Sequence, residues 1–451
     1  MPELRLTPAQ RLWFVRVGLL LSVCLCAAFG LAGLALVPLH PDESMQIYAS
    51  RDFDRLLDDG LGSLTTRPPY PVDSDEHLRI LNGSIHRHFI GWFRRLAGLS
   101  PDVLPPAPGW DWRLDSGANI ARGSLPPPEV LLVGRLASAA FLPLVAFAAA
   151  AIGGATVGSR WAILYLALLM LNPVVLLNTR RAMQEGCLLG LGLLTIWAGL
   201  AVGRSLAGGR DPRLWRWAPL GLSCGLVVAA KHSGILFAVA AAGLVSAGWF
   251  FGPRRDTRML LPAFVAAVTA VLIFFALQPA LWSNPPERIK DLLALRSEMM
   301  SAQAQGLPLG AAGNTRLALI PFANPLQFHE SIDVAGHPLF AGWSATYSAS
   351  WLAGLPISGV MAWVFFVLMV LGIWISFRGF FAAGEAGFMQ TAPFTWWIVI
   401  VLLLLFSPLP WQRYFLPLIP PALLLVVLGL KHVVSLLSIV FALRQKSYPA
   451  G

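Results

Sequence analysis

Membrane-length apolar runs recur along this chain, and they constrain its fold more than any other feature. A helix needs roughly 20 apolar residues to cross a bilayer, and hydrocarbon offers no partner to an unpaired backbone group. Runs near that length occupy 15–37, 130–152, 160–177, 185–203, 217–230, 233–251, 259–281, 352–376, 394–409 and 412–430. The run 217–230 is short and pairs with its successor as a hairpin, and a stretch at 433–443 is too short to span alone. Apolar residues make up 56% of the chain and charged residues 12%, a balance that no soluble fold of this length can bury. The expected fold is all-α and polytopic, a bundle of about 10–11 transmembrane helices. The first run is too long for a signal-peptide core and no small-residue cleavage site follows it, so it reads as a retained anchor.

The distribution of arginine gives an orientation. Arg5, Arg11 and Arg16 precede the first run; Arg204, Arg210, Arg213 and Arg216 fill one short connection, and Arg254, Arg255 and Arg258 another. Arg160, Arg378, Arg444 and Lys446 fall on the same side if every run crosses. The positive-inside rule places all of them, and the N-terminus, in the cytoplasm. The net charge of +10 is then a topology signal rather than a nucleic-acid footprint. Two long loops, 38–129 and 282–351, face outward, and the first holds more than half of the acids in the chain. The four cysteines lie inside apolar runs without metal-ligand spacing and read as packing residues.

Asp42 and Glu43 stand where the chain leaves the first span and meets water. Met45, Tyr48, Ala49, Phe53 and Leu56 follow at near-helical spacing, with Pro41 suited to the first turn. Farther along, Ile85, Phe89, Trp92, Phe93 and Leu96 form an apolar stripe, which predicts a helix lying on the membrane whose arginines meet lipid phosphates. Asp73, Asp75 and Glu76 offer hard oxygen ligands for a divalent cation, but a solvated acidic loop accounts for them better, because no calcium-loop pattern surrounds them. His86 and His88 are two apart, unlike the i, i+4 pairs of helical zinc sites, and read as interfacial polar residues; no metal site is assigned.

Ionisable residues at membrane depth are costly and point to function. Four groups fall at the level of Asp42: Arg135; Arg180 and Arg181 with Glu185; Lys231 with His232; and Arg413 with Tyr414. Snorkelling or a bundle salt bridge explains any one of them; their coincidence at one depth suggests a shared site. Transfer of a sugar from a polyprenyl phosphate would need this set. A carboxylate takes the acceptor proton, and cations stabilise charge on the departing phosphate.

At these residues the chain resembles the GT-C class of membrane glycosyltransferases, in particular the branch of protein O-mannosyltransferases and bacterial phospholipid-carrier-dependent glycosyltransferases. His40-Pro41-Asp42-Glu43 with Tyr48, the Arg135 segment, Arg180 to Glu185, Gly221 to Gly234, Gln278 to Pro285 (containing Trp282) and Pro410 to Pro420 are similar to that branch's motifs, in the same order. The resemblance implies a module over 1–430, with 431–451 a short cytoplasmic tail or partial extra helix. It implies a mannosyltransferase-like, inverting enzyme of the cell (inner) membrane that acts on the extracytoplasmic face. Asp42 would be the base and Glu43 its supporting acid. Arg135, Arg180, Arg181, Lys231, His232 and Arg413 would hold the donor phosphate, and Tyr48, Glu185, Trp282 and Tyr414 would line the pocket. The implied partners are a polyprenyl-phosphate-linked sugar, undecaprenyl or a similar carrier, membrane lipids, and an acceptor that is a lipid, glycan or protein. The mannosyltransferases' histidine-proline-proline motif is replaced here by Ser84-Ile85-His86-Arg87-His88, so neither mannose nor the acceptor is assigned. The alternative function is a transporter or flippase for a polyprenyl-linked lipid; such proteins tend to carry internal repeats and a midplane site, and neither pattern is found here.

Overall fold

The structure is a computed structural model that describes residues 8–210, 214–253, 259–305, 338–357, 359–405, 409 and 411–447. Among them every regular element is a helix. The first span, α1 (Pro8–Ala32), leads into a cap of five short helices: α2 (Pro41–Ala49), α3 (Arg51–Asp58), α4 (Asp75–Leu81), α5 (Ser84–Leu96) and α6 (Ser116–Ala121). The chain re-enters the bundle through α7 (Pro128–Ala139) and α8 (Leu142–Thr156), then α9 (Ser159–Met170) and α10 (Pro173–Arg180). Next come α11 (Glu185–Ala207), α12 (Leu214–Ala230), α13 (Ile235–Phe251) and α14 (Leu260–Leu277). Beyond them lie α15 (Pro285–Ala304), α16 (Pro338–Ala349), α17 (Gly359–Arg378), α18 (Gly384–Leu404) and α19 (Ile419–Ser447).

Among the described residues eight helical segments are long and apolar enough to cross a membrane, and α9 with α10 passes the same test only as a pair bent by 59°. The protein is therefore a multi-pass membrane protein. The bend follows from Asn172-Pro173: proline cannot continue α9's hydrogen-bond ladder, and the Asn172 side chain accepts from Val174 N and Val175 N to start α10. α12 is a shorter apolar helix of 17 residues. The expected run 394–409 starts earlier, at Gly384, and 352–376 starts later, at Gly359. The stretch 433–443 is no separate piece but the continuation of α19. Arg5, Arg213, Arg254, Arg255, Arg258, Pro410 and the 306–337 part of the second long loop lie outside the described residues.

α11 is the axis of the bundle, buried along nearly its whole length and packed on α8, α12, α13 and α18. Its glycines permit that crowding. A Cβ on Gly203 would stand 2.6 Å from the Leu244 carbonyl oxygen, so α13 could not approach a larger residue. By contrast α14 and α17 leave most of their apolar side chains uncovered, as helices facing lipid do.

The cap differs from the expected membrane-surface helix. The stripe on α5 is amphipathic as read, but its arginines turn inward. Arg87 Nη1 lies 3.0 Å from Asp52 Oδ2, Arg79 Nη2 lies 2.7 Å from Asp52 Oδ1, and Arg94 pairs with Asp54. Burial alone would raise the Asp52 pKa, but the Arg87 and Arg79 guanidiniums outweigh it and hold the carboxyl below its ordinary value. Of the three arginines near the stripe, Arg95 stays largely exposed. The Gln278–Pro285 segment clasps this cap from the other side. Gln278 Nε2 donates to Asn82 O at 3.0 Å, Thr66 Oγ1 to Ala280 O at 2.8 Å, and Ser283 Oγ to Thr66 O at 2.7 Å.

Candidate active site

Where the cap meets the bundle there is a cavity of about 750 Å³, and it collects ionisable side chains from remote parts of the sequence. Asp42, on the first turn of α2, and Glu185, the first residue of α11, supply carboxylates to its wall. Lys231, just past α12, and Arg413, on the 3-10 turn before α19, supply cations. They are joined in pairs: Lys231 Nζ lies 2.5 Å from Glu185 Oε1, and Arg413 Nη1 bonds Asp42 Oδ2. Trp411 and Tyr414 stack at 5.7 Å between ring centroids, with the Arg413 guanidinium 5.2 Å from the Trp411 ring and Lys231 Nζ 5.6 Å from the Tyr414 ring. His232 is also on the wall, and neither of its ring nitrogens has a partner among the described residues. Six of the residues expected from the sequence thus share one chamber: Asp42, Glu185, Lys231, His232, Arg413 and Tyr414.

Asp42 is set in place by its neighbours. His40 caps α2, its Nδ1 accepting from Asp42 N at 3.1 Å, while His40 N donates to Glu43 Oε1 at 3.0 Å. Burial, aided by the positive charges of Arg413, Arg181 and Lys231, pushes the His40 pKa well below its ordinary value. A neutral ring is what lets Nδ1 act as an acceptor.

The other expected site residues lie outside the cavity wall. Glu43 faces away from it, fully buried: Arg135 Nε and Nη2 hold its two oxygens at 2.9 and 3.0 Å, and Ala182 N donates to it at 2.8 Å. Arg135 Nη1 donates to Leu34 O at 2.9 Å, so each of its three guanidinium nitrogens has a protein partner and the side chain does not reach the cavity wall. Arg180 closes the end of α1, donating to Phe29 O at 2.7 Å and Gly30 O at 2.8 Å, the carbonyls a helix C-terminus leaves open. Arg181 donates to Pro38 O at 3.1 Å. Tyr48 donates to Asp75 Oδ1 at 2.6 Å inside the cap, with the Arg51 guanidinium 3.9 Å above its ring. Trp282 is bonded to Phe275 O at 2.6 Å, at the end of α14.

The acidic triplet does not converge on a cation. Asp75 is engaged by Tyr48 and by Arg55 at 2.8 Å, and Asp73 faces Arg113 at 3.9 Å. Among the described residues no three His, Cys, Asp or Glu side chains are grouped to hold a metal ion. His86 and His88 are buried in the cap, which pushes both pKa values down to about 4. The sequence reading missed Tyr70, His77, Trp112, Arg113, Gln184 and Trp411 on the cavity wall. Most of these sit in loops or at helix ends, where no periodicity betrays which way a side chain faces.

No protein-family model matches the chain, and no curated protein matches it. Among solved structures, it superposes on the archaeal oligosaccharyltransferase AglB from Archaeoglobus fulgidus, a complex with an inhibitory peptide and a dolichol-phosphate. The TM-score is 0.52 at 13% identity over 97% of this chain and 53% of that one. The chain shares the fold of that structure. ArnT from Cupriavidus metallidurans, bound to undecaprenyl phosphate, gives a TM-score of 0.48 at 14% identity over 91% of this chain and 59% of that one. The chain therefore spans little more than half the length of either structure.

Proposed function

We propose that the protein is a membrane glycosyltransferase that moves a sugar from a polyprenyl phosphate to an acceptor hydroxyl. The observation carrying this reading is the cavity in which a partly exposed carboxylate, Asp42, shares a wall with Lys231 and Arg413, cations drawn from distant segments. The fold shared with AglB, a structure holding a dolichol-phosphate, agrees with a lipid-borne donor. In this reaction Asp42 takes the proton from the acceptor hydroxyl as its oxygen bonds to the anomeric carbon. The bond from that carbon to the phosphate oxygen breaks with its electron pair, and the configuration inverts. Lys231 and Arg413 stabilise the negative charge left on the polyprenyl phosphate. Glu185 orients Lys231, and the Trp411–Tyr414 stack orients Arg413. Glu43 and Arg135 act as a positioning pair that fixes the first turn of α2.

In this proposal the N-terminus is cytoplasmic and the reaction runs on the outer face of a cell membrane, a reading supported by the positive-inside rule applied to the arginines. The test is donor consumption by the purified protein in liposomes, supplied with polyprenyl-phosphate sugars beginning with mannose and with a total membrane extract as the source of acceptor hydroxyls. The parent is expected to release polyprenyl phosphate. Lys231→Ala and Arg413→Ala should each slow release by about 100-fold, the scale of a lost transition-state donor. Vectorial movement of intact donor across the liposome, unaccompanied by release, would instead show a transporter.

A further inference from the structure

Arg413 bonds the Asp42 carboxylate here, and during turnover the donor phosphate would claim the same guanidinium. We infer that donor binding takes Arg413 away from Asp42, so that the base is released for the acceptor only when the lipid phosphate is seated. This rests on the function proposed above. Asp42, Glu185, Lys231 and Arg413 form a charge-balanced group, two acids against two bases, so a phosphate that seats on Arg413 must compete with a carboxylate for it.

The two carboxylates are not equally displaceable. The Glu185 side chain is 1% exposed and that of Asp42 is 24% exposed, so only Asp42 has room to turn. Its backbone cannot follow, because the amide N–H is bonded to His40 Nδ1 and the next residue is locked to Arg135 and Ala182 N. A change at Asp42 is therefore a side-chain rotation within a rigid frame, toward the open part of the cavity. The order of binding follows: donor first, acceptor second. An enzyme without donor keeps its base neutralised by Arg413.

The experiment measures affinity for a polyprenyl phosphate without sugar, with the uncharged polyprenol and inorganic phosphate as controls. Parent, Asp42→Asn, Arg413→Gln and the double variant are compared, each checked for folding by thermal melting. Asp42→Asn removes the competitor while keeping the shape, so it is expected to bind the polyprenyl phosphate about tenfold more tightly, the scale of a partly buried ion pair. That gain should vanish in the Arg413→Gln background. If Asp42→Asn binds as the parent does or more weakly, or gains equally without Arg413, the coupling is refuted while the transferase reading stands. If the parent holds polyprenyl phosphate no better than polyprenol, the donor assignment and the coupling both fail.

Discussion

Asp42 and Glu43 are neighbours on one helical turn, each paired with an arginine, yet they occupy opposite environments. Glu43 is sealed behind the cavity, its oxygens filled by Arg135, His40 N and Ala182 N. Asp42 lines the cavity, held by Arg413 with one side open. A carboxylate whose every acceptor site is taken by protein donors holds structure together, and one with an open side can take a proton. The contrast separates frame from chemistry more sharply than charge or depth does.

The largest effect on the frame should come from cutting it. Glu43→Gln leaves Arg135 buried without its counter-charge and should cost about 3–5 kcal/mol. A thermal or denaturant melt in detergent should show this, while Asp42→Asn melts within about 1 kcal/mol of the parent. Equal losses at both positions would erase the distinction. The next effect concerns acid. The Asp52 carboxyl is held below its ordinary value in the fold, so its contribution is present above the unfolded value of about 3.9 and is lost as pH falls through the lower folded value. Acid unfolding in that window should flatten in Asp52→Asn, though this variant will be less stable at neutral pH. A smaller loss, about 1 kcal/mol, is expected for His40→Ala, which removes the cap of α2, and His40→Asn should recover most of it. Arg95→Gln, on the exposed side of α5, should change stability by less than about 0.5 kcal/mol, whereas Arg87→Gln should be severe.

Much of this arrangement was legible in the sequence. Span length exposed the membrane class, and the placement of Asp42 just past the first span put it at the mouth of the bundle. Glu185, Lys231, His232 and Arg413, which the sequence sets at one depth, line one chamber. Depth alone could not rank the arginines. Arg135, Arg180 and Arg413 look alike in sequence, but partners 92, 150 and 371 residues away decide which one reaches the cavity. The α5 stripe was read with the correct period and the wrong neighbour, because Asp52 and Asp54 on α3 offered its arginines a closer counter-charge than lipid phosphate. Wall residues in irregular segments, such as Trp112 and Tyr70, had no local pattern to reveal them.

The most direct measurement is single-turnover sugar transfer by Asp42→Asn loaded with polyprenyl-phosphate sugar. If Asp42 is the base, the transfer rate falls by about 10²–10⁴ with donor still bound. Transfer at the parental rate by a loaded Asp42→Asn enzyme would contradict the account.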